Sequence, residues 1–166
     1  LIASMIFASF SGSSVANEGW FRDAMATRSG DDFSVADIAI NEALDRSQVA
    51  TYASAIRAGG EANGPVIGAL GIFFDWAAQS QAVVDSVRLT PEERAGTRCL
   101  LVDRRHRVIA ASDRQGVLSE TFNLRADGRK QGNYADDKGD VVGFAHTPGY
   151  ETYAGLGWYG VIVQKH

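Results

Sequence analysis

The sequence predicts an α+β fold in which a few short helices flank an antiparallel sheet. Strand patterns outnumber helical stripes, most of them follow one another directly along the chain, and short polar or Gly-rich turns connect them. Strands that are neighbours in sequence and joined by short turns pair antiparallel, because parallel pairing needs a long crossover. A doubly wound parallel sheet is therefore disfavoured.

A short helix is predicted near the start of the chain. Asn17 can cap it, and Ser29-Gly30 can end it. The apolar residues between these two points recur at helical spacing: Trp20, Phe21, Ala24 and Met25. The apolar stretch before them, residues 1–10, fits either a strand or the end of a helix.

Three strands in a meander are predicted next. Residues 33–40 alternate in polarity with a phase shift near Asp37, which indicates a bulge or a bend. Residues 48–58 and 65–75 form the second and third strands. The Gly-rich turn at residues 59–64 connects them, so we expect them to pair antiparallel.

A linking helix and a second group of strands complete the predicted order. Apolar residues fit a helical stripe over residues 76–89, which Thr90-Pro91 is expected to end. A hairpin follows, formed by residues 98–102 and 107–111 around a charged tip, residues 103–106, that we expect to be exposed.

The remainder is predicted to be a connector, a loop and two strands. Residues 112–123 form the connector. Residues 125–140 are rich in Gly, Asp and Lys and contain one large apolar side chain, Tyr134, which is typical of a long surface loop. Residues 141–146 and 156–163 are the last two strands.

Composition and charge exclude several classes of partner. With 45% hydrophobic and 22% charged residues, the 166-residue chain is predicted to fold as one domain or two small modules. A net charge of -4 and a pI near 5.3 provide no basic surface for nucleic acid or anionic lipid. The apolar runs fall short of the roughly 20 residues that span a bilayer. The single cysteine, Cys99, lies in an apolar run and is expected to be buried.

Three stretches, taken in this order, resemble the double Cache family of sensor domains. Gly19–Met25 (GWFRDAM), followed by residues 35–37 (VAD), is similar to the Trp-Tyr-x-x-Ala helix and x-x-Asp strand that line the membrane-distal pocket. Residues 68–75 (GALGIFFD) resemble the last strand of that module. Residues 99–103 (CLLVD) and 107–112 (RVIAAS) resemble the opening hairpin of the membrane-proximal module.

The end of the chain is similar to the close of chemoreceptor sensor regions before the second membrane span. The matching stretches are residues 147–153 (TPGYETY) and 155–162 (GLGWYGVI), so the resemblance covers roughly residues 17–164. Each motif is short, and their order carries more weight than any one match.

The resemblance implies two stacked PAS-like modules in an α+β, Cache-type fold. Residues 1–76 correspond to a membrane-distal module that lacks its usual opening strands. Either this module is partial, or the chain is a variant of the family that has only one complete module. Residues 77–166 correspond to the linking helix and the membrane-proximal module. The implied setting is the periplasmic part of a dimeric inner-membrane chemoreceptor, and since the chain lacks an initiator Met we expect flanking membrane spans outside it.

Two departures from the amino-acid-binding version of the family bear on the ligand. That version has an Arg two residues before the helix Trp, where this chain has Glu18. It also has a Tyr two residues before the strand Asp, where this chain has Val35. Both differences weaken the case for a clamp on the carboxylate of an α-amino acid.

A ligand pocket needs aromatic walls and a few fixed polar groups. The candidates are Trp20, Asp37, Tyr52, Asp75 and, as a counter-charge, Arg57. The expected ligand is an organic acid, an amine or another polar metabolite. The competing interpretation makes both aromatics core residues and leaves the charges in solvent. If the pocket exists, Trp20→Ala and Asp37→Ala should weaken binding without unfolding the domain.

The densest aromatic cluster lies near the C-terminus and surrounds Glu151. Its members are Tyr150, Tyr153, Trp158 and Tyr159. The cluster could form a cage for a cation, although packing of the sheet onto its helices is favoured.

Neither a metal site nor a cofactor is predicted. The three histidines are scattered, and Asp31-Asp32 and Asp136-Asp137 lack the ligand spacing of a calcium loop, so both pairs are expected to be solvated turns. The glycines of Gly155-x-Gly157-x-x-Gly160 lie in a strand pattern and do not open a nucleotide-binding helix.

An enzyme is disfavoured. The sequence contains no nucleophile elbow, Walker loop, His-Glu-x-x-His or Cys-x-x-Cys motif. A Cys99 and His146 pair is conceivable, but a thiol within an apolar strand should be unreactive. The leading hypothesis is a small-molecule sensor domain of a transmembrane chemoreceptor or related signal transducer. The alternative is a structural or dimerisation module without a ligand.

Overall fold

The computed structural model describes residues 14–149 and 153–166, and the chain divides into two compact units. The first unit comprises residues 1–77 and the second residues 78–166. This division is one residue away from the expected boundary after residue 76. Within the described residues, no helix has the length and apolar character needed to cross a membrane.

The first unit consists of one short helix and a three-stranded antiparallel sheet. In chain order its elements are α1 (Gly19–Met25), β1 (Ser34–Asn41), β2 (Ser47–Arg57) and β3 (Val66–Asp75). Short 3-10 turns, Glu42–Leu44 and Ala58–Gly60, connect the strands. The sheet order is β1-β2-β3, which confirms the predicted meander.

The phase shift predicted near Asp37 is a β-bulge in β1. Ala36 pairs with Thr51 and Ala39 pairs with Val49, so β1 advances three residues while β2 advances two. A bulge bends its strand and changes the direction of local side chains. This one lies on the strand face that α1 covers.

The start of α1 differs from the prediction. The N-cap position is occupied by Glu18 and not by Asn17. The Glu18 side chain makes no capping hydrogen bond. The helix is held instead by packing, because it contacts all three strands and its residue Ala24 is fully buried. The alternatives for residues 1–10 lie outside the described residues.

The second unit contains a five-stranded antiparallel sheet. Its elements are α2 (Trp76–Asp85), which begins at the boundary, α3 (Pro91–Gly96), β4 (Thr97–Val102), β5 (Val108–Ala111), β6 (Gln131–Ala135), β7 (Val141–His146) and β8 (Tyr159–Gln164). The sheet order is β5-β4-β8-β7-β6. The last strand of the chain therefore lies at the centre of the sheet, a pairing that local sequence cannot indicate. The antiparallel α+β prediction is confirmed in both units.

The predicted helix over residues 76–89 is too long. It ends at Asp85, and Thr90 begins a new helix instead of ending the old one. The Thr90 hydroxyl accepts a hydrogen bond from the Glu93 N–H (3.2 Å), and the Glu93 carboxylate accepts one from the Thr90 N–H (2.8 Å). Pro91 follows this capping box at the first helical position, where its missing N–H costs nothing.

The predicted surface loop at residues 125–140 contains a strand. β6 (Gln131–Ala135) pairs with β7, and its exposed and half-buried side chains alternate. The prediction is wrong here because an edge strand with one solvent-exposed face needs few apolar side chains. Tyr134, half-buried, packs against the core.

The last strand begins later than predicted. β8 starts at Tyr159, whereas the pattern indicated residue 156. Gly155 and Gly157 have φ of +77° and +75°, a conformation that strands do not use and that glycine adopts easily.

The charged tip of the β4–β5 hairpin is not uniformly exposed as predicted. Asp103 is only 2% exposed. Its carboxylate accepts hydrogen bonds from the N–H groups of Arg105 (2.8 Å) and Arg107 (2.9 Å) and from Arg107 Nε (3.0 Å). Asp103 therefore organises the turn from inside. Nearby, Cys99 is buried as predicted.

Candidate functional site

A cavity of about 490 Å³ opens between the start of α1 and the α1-facing side of the first sheet. The segment before α1, the bulged half of β1, the Glu42–Leu44 turn, β2 and β3 each contribute to its walls. Its volume is within the range of sites that hold small molecules. Two of the five predicted site residues, Trp20 and Asp37, line it.

Trp20 forms an aromatic wall of the cavity. Its ring makes edge-to-face contacts with Phe73 (5.5 Å between centroids) and with Phe21 (5.7 Å). It also lies directly over Gly71, because a Cβ on that glycine would come within 2.8 Å of the indole ring. Trp20 is thus both a cavity wall and part of the packing, so Asp37 is the sharper probe of binding.

Asp37 is brought to the cavity by the bulge in β1. Its carboxylate accepts a hydrogen bond from the N–H of Ile38 (2.9 Å). Ile38 is 1% exposed and anchors the bulged segment in the interior. The bulge thus holds the carboxylate at the cavity while the neighbouring apolar side chain is buried.

Several lining residues were not singled out by the sequence pattern. They include Asn41, Glu42, Thr51 and Phe73, whereas Glu18 was singled out by its place two residues before Trp20. The two-residue alternation of β2, which places Val49 and Thr51 on one face, could have indicated Thr51. Glu42 is an exposed polar residue at the end of β1, and nothing in the local pattern separates it from ordinary surface.

Two predicted site residues on the sheet are not among the described lining residues. Tyr52 follows Thr51 on β2 and therefore points to the opposite face, where its ring contacts Phe74 edge-to-face at 5.5 Å. Asp75 pairs with Val49 at the end of β3. Neither residue is brought together with Trp20 and Asp37 at the cavity.

Arg57 connects the end of the helical region to the β2–β3 turn. Its guanidinium donates hydrogen bonds to the carbonyls of Thr27 (2.6 Å) and Gly64 (3.0 Å). The pKa of Asp32 is lowered mainly by hydrogen bonds from the N–H groups of Ser29 and Arg28, and the positive charge of Arg57 lowers it further. These contacts give Arg57 a structural role at a distance from the lining of the cavity.

A second cavity of about 330 Å³ lies in the second unit, around the ends of α3 and β8. It contains charges of both signs, and Arg98 is already bound to Glu120 through two hydrogen bonds of 2.8 and 2.9 Å. Cys99 also lines it, and burial raises the pKa of the thiol. A protonated thiol is a poor nucleophile, which agrees with the inert cysteine that the sequence predicts.

The C-terminal aromatic cluster is described only in part. The ring of Tyr159 packs on those of His146 (5.1 Å), Phe144 (6.2 Å) and His106 (6.3 Å). Tyr150 and Glu151 lie outside the described residues, so the cation cage stays a hypothesis. Among residues 14–149 and 153–166, no group of three or more His, Cys, Asp or Glu side chains could hold a metal ion.

The fold matches that of solved chemoreceptor ligand-binding domains. That of the amino acid chemoreceptor PctC of Pseudomonas aeruginosa PAO1, in complex with GABA, aligns with a TM-score of 0.64 and 18% identity over 96% of this chain. The ligand-binding domain of the Pseudomonas fluorescens chemoreceptor CtaA, with L-alanine, aligns with a TM-score of 0.57 and 16% identity over 99%. The ligand-binding domain of Mlp24, with asparagine, aligns with a TM-score of 0.60 and 14% identity over 95% of this chain.

These likenesses confirm the α+β fold, with antiparallel sheets and a few flanking helices, that the sequence predicted. At 14–18% identity they concern the fold alone. This chain spans 65% of the PctC and CtaA domains and 60% of the Mlp24 domain. No protein-family model matches the sequence, and no curated protein matches it.

Proposed function

We propose that this chain is an extracytoplasmic sensor domain of a transmembrane chemoreceptor or related signal transducer. In this proposal a small polar metabolite binds in the cavity between α1 and the first sheet. The observation that carries it is the meeting of Trp20 and Asp37 at one cavity of about 490 Å³. An aromatic wall together with a fixed carboxylate is what recognition of a small polar molecule requires.

The fold supports the same function. The domains of PctC, CtaA and Mlp24 were solved with GABA, L-alanine and asparagine. Transferred to this chain, that behaviour makes it a binding module that returns its ligand unchanged. The periplasmic location, the flanking membrane spans and the homodimer of the full receptor belong to the proposal as well.

A route for the signal begins at the cavity wall. Phe73 lines the cavity on β3, and β3 continues into α2 at Trp76 with no loop between them. A ligand that displaces this end of β3 would also displace the start of α2. To signal, the ligand must bind one of two arrangements of this junction more tightly than the other.

A structural or dimerisation module is the second candidate, and one observation favours it. On the sheet face opposite α1, Leu70 is 56% exposed and Ile56 is 46% exposed. Exposed apolar residues on a sheet face are suited to contact with another protein surface. This candidate needs no ligand in the cavity.

A thermal-shift screen of the purified chain separates the two candidates. The panel comprises carboxylates, amino acids, amines, purines and sugars, because a ligand that binds only the folded state raises the melting midpoint. We expect a dose-dependent rise with one class. The rise should disappear in Asp37→Ala and persist in Asp31→Ala, an exposed acidic residue of the same unit.

The outcomes are distinct. A rise that Asp37→Ala abolishes supports the sensor, and recovery of the ligand unchanged after incubation supports a module without turnover. If no class raises the midpoint while the chain self-associates, the interaction module is the better account. A product formed during incubation would instead favour an enzyme.

A further inference from the structure

The described lining of the cavity is acidic and contains no basic side chain. Glu18, Asp37 and Glu42 each contribute to it, and among the described lining residues there is no Lys, Arg or His. Residues 1–13, which precede the described part of this unit, contain no charged residue. Glu42 is paired with Arg46 at 2.7 Å, so the negative charge of the described walls comes chiefly from Glu18 and Asp37.

The rest of the first unit adds to this negative field. Residues 1–77 contain nine Asp and Glu and four Arg, a formal charge of -5, while the whole chain carries -4. Two of the four arginines already have partners, and one of these partners, Glu42, lines the cavity. Arg46 binds Glu42 at 2.7 Å, and Arg57 donates to backbone carbonyls. An anion entering this cavity would meet like charges, whereas a cation would be attracted.

The aromatic wall favours the same charge. The face of an indole ring is electron-rich and attracts an ammonium group within about 6 Å, while its apolar surface packs against methylene groups. Trp20 and Phe73 both line the cavity. The N–H groups at the start of α1 would favour an anion, but α1 has only seven residues and the Glu18 carboxylate directly precedes it.

We infer that the ligand of this cavity is a small organic cation, an aliphatic amine or diamine that carries no carboxylate. This inference rests on the proposed sensor function and specifies its ligand class. One ammonium group binds near Asp37 in the bulge, a second binds near Glu18 before α1, and the methylene chain packs against Trp20. An amino acid would satisfy the first contact but would bring its own carboxylate towards Glu18.

Four-carbon probes that differ only in their end groups test the charge preference. They are 1,4-diaminobutane, n-butylamine, 4-aminobutyrate and succinate, each titrated into the purified chain by calorimetry at neutral pH. We expect the diamine to bind most tightly, followed by the monoamine. At least tenfold weaker binding is expected for 4-aminobutyrate, because one end is repelled, and none for succinate.

Glu18→Arg tests the second contact. The substitution should weaken binding of 1,4-diaminobutane at least tenfold and strengthen binding of 4-aminobutyrate, because a cation then faces the carboxylate end. Glu61→Arg is the matched control, since Glu61 is an exposed residue of the same unit that does not line the cavity. It makes the same change in net charge and should leave both affinities unaltered.

Failure of this inference can be told apart from failure of the proposed function. Tighter binding of 4-aminobutyrate or succinate than of the diamine would overturn the amine assignment and leave the sensor intact. Equal effects of Glu18→Arg and Glu61→Arg would also overturn it, since they would indicate a general field effect. If none of the four probes binds, the amine inference is wrong. If no compound of the broader panel raises the melting midpoint either, the proposed sensor function is wrong too.

Discussion

At the scale of single residues, the buried carboxylate of Asp103 is the clearest case of a charged group that stabilises a turn. Asp103 was expected at an exposed tip, yet its carboxylate is buried and binds two backbone N–H groups and a guanidinium. A carboxylate with this many donors rigidifies the turn that carries His106 at φ +62°. Sequence could indicate the turn but not the direction in which the aspartate points.

Asp103→Asn should lower the free energy of unfolding of the second unit by about 1–3 kcal/mol. The amide keeps one acceptor, but it removes the charge and turns a donor towards the Arg107 guanidinium. Urea unfolding followed by circular dichroism measures the change.

Asp127→Asn is the matched control for this prediction. Asp127 has φ +50°, which Asn tolerates equally well, and its side chain is 78% exposed. We expect this change to stay within about 0.5 kcal/mol. Similar losses in the two variants would mean that removal of a negative charge, and not the buried network, sets the stability.

At the scale of elements, the first sheet is shaped to receive α1. The bulge in β1 holds Asp37 at the cavity, and Gly71 on β3 leaves room for the indole of Trp20. The bulge was predictable because it shifts the alternation of apolar residues. The role of Gly71 was not, because a glycine in a strand pattern does not identify what lies above it.

Gly71→Ala should destabilise the first unit by about 1–3 kcal/mol and weaken ligand binding. The new methyl group would lie 2.8 Å from the Trp20 ring, so the ring must move away from the sheet. Thermal melting and the affinity for the best ligand of the screen measure the two effects.

Gly68→Ala provides the comparison on the same strand. A methyl group there would make an ordinary contact of 3.8 Å with Ile56. We expect unchanged affinity and a stability equal to or slightly above that of the parent chain, because alanine restricts the unfolded chain. If Gly68→Ala weakens binding as much as Gly71→Ala, the packing of Trp20 over Gly71 does not control the cavity.

At the scale of the whole molecule, each unit has its own sheet and its own core. Trp20, Leu44, Val49 and Phe73 form a cluster in the first unit, whereas the core of the second unit centres on β4, β5, β7 and β8. The described lining residues of the proposed cavity all belong to the first unit. A ligand should therefore act first on the stability of that unit.

Ligand at 100 times its Kd should slow hydrogen exchange in β1 and β2 about 100-fold, which corresponds to about 2.7 kcal/mol. Exchange in β4 and β8 should change far less, because those amides belong to the other core. Mass spectrometry of peptides from each strand measures the difference, and Asp37→Ala with the same ligand concentration is the control. Equal protection in both sheets would show that the two units open together.

The sequence by itself determined the class of fold, most element positions, the phase shift near Asp37, the buried Cys99 and the acidic character of the first unit. These follow from alternation, helical spacing and composition, which are local properties of the chain. Only the tertiary structure decided that β8 lies between β4 and β7, that Arg57 holds backbone carbonyls, and that Thr51 and Phe73 join Trp20 and Asp37 at one cavity. Those facts depend on contacts between residues far apart in sequence, and no local pattern records such contacts.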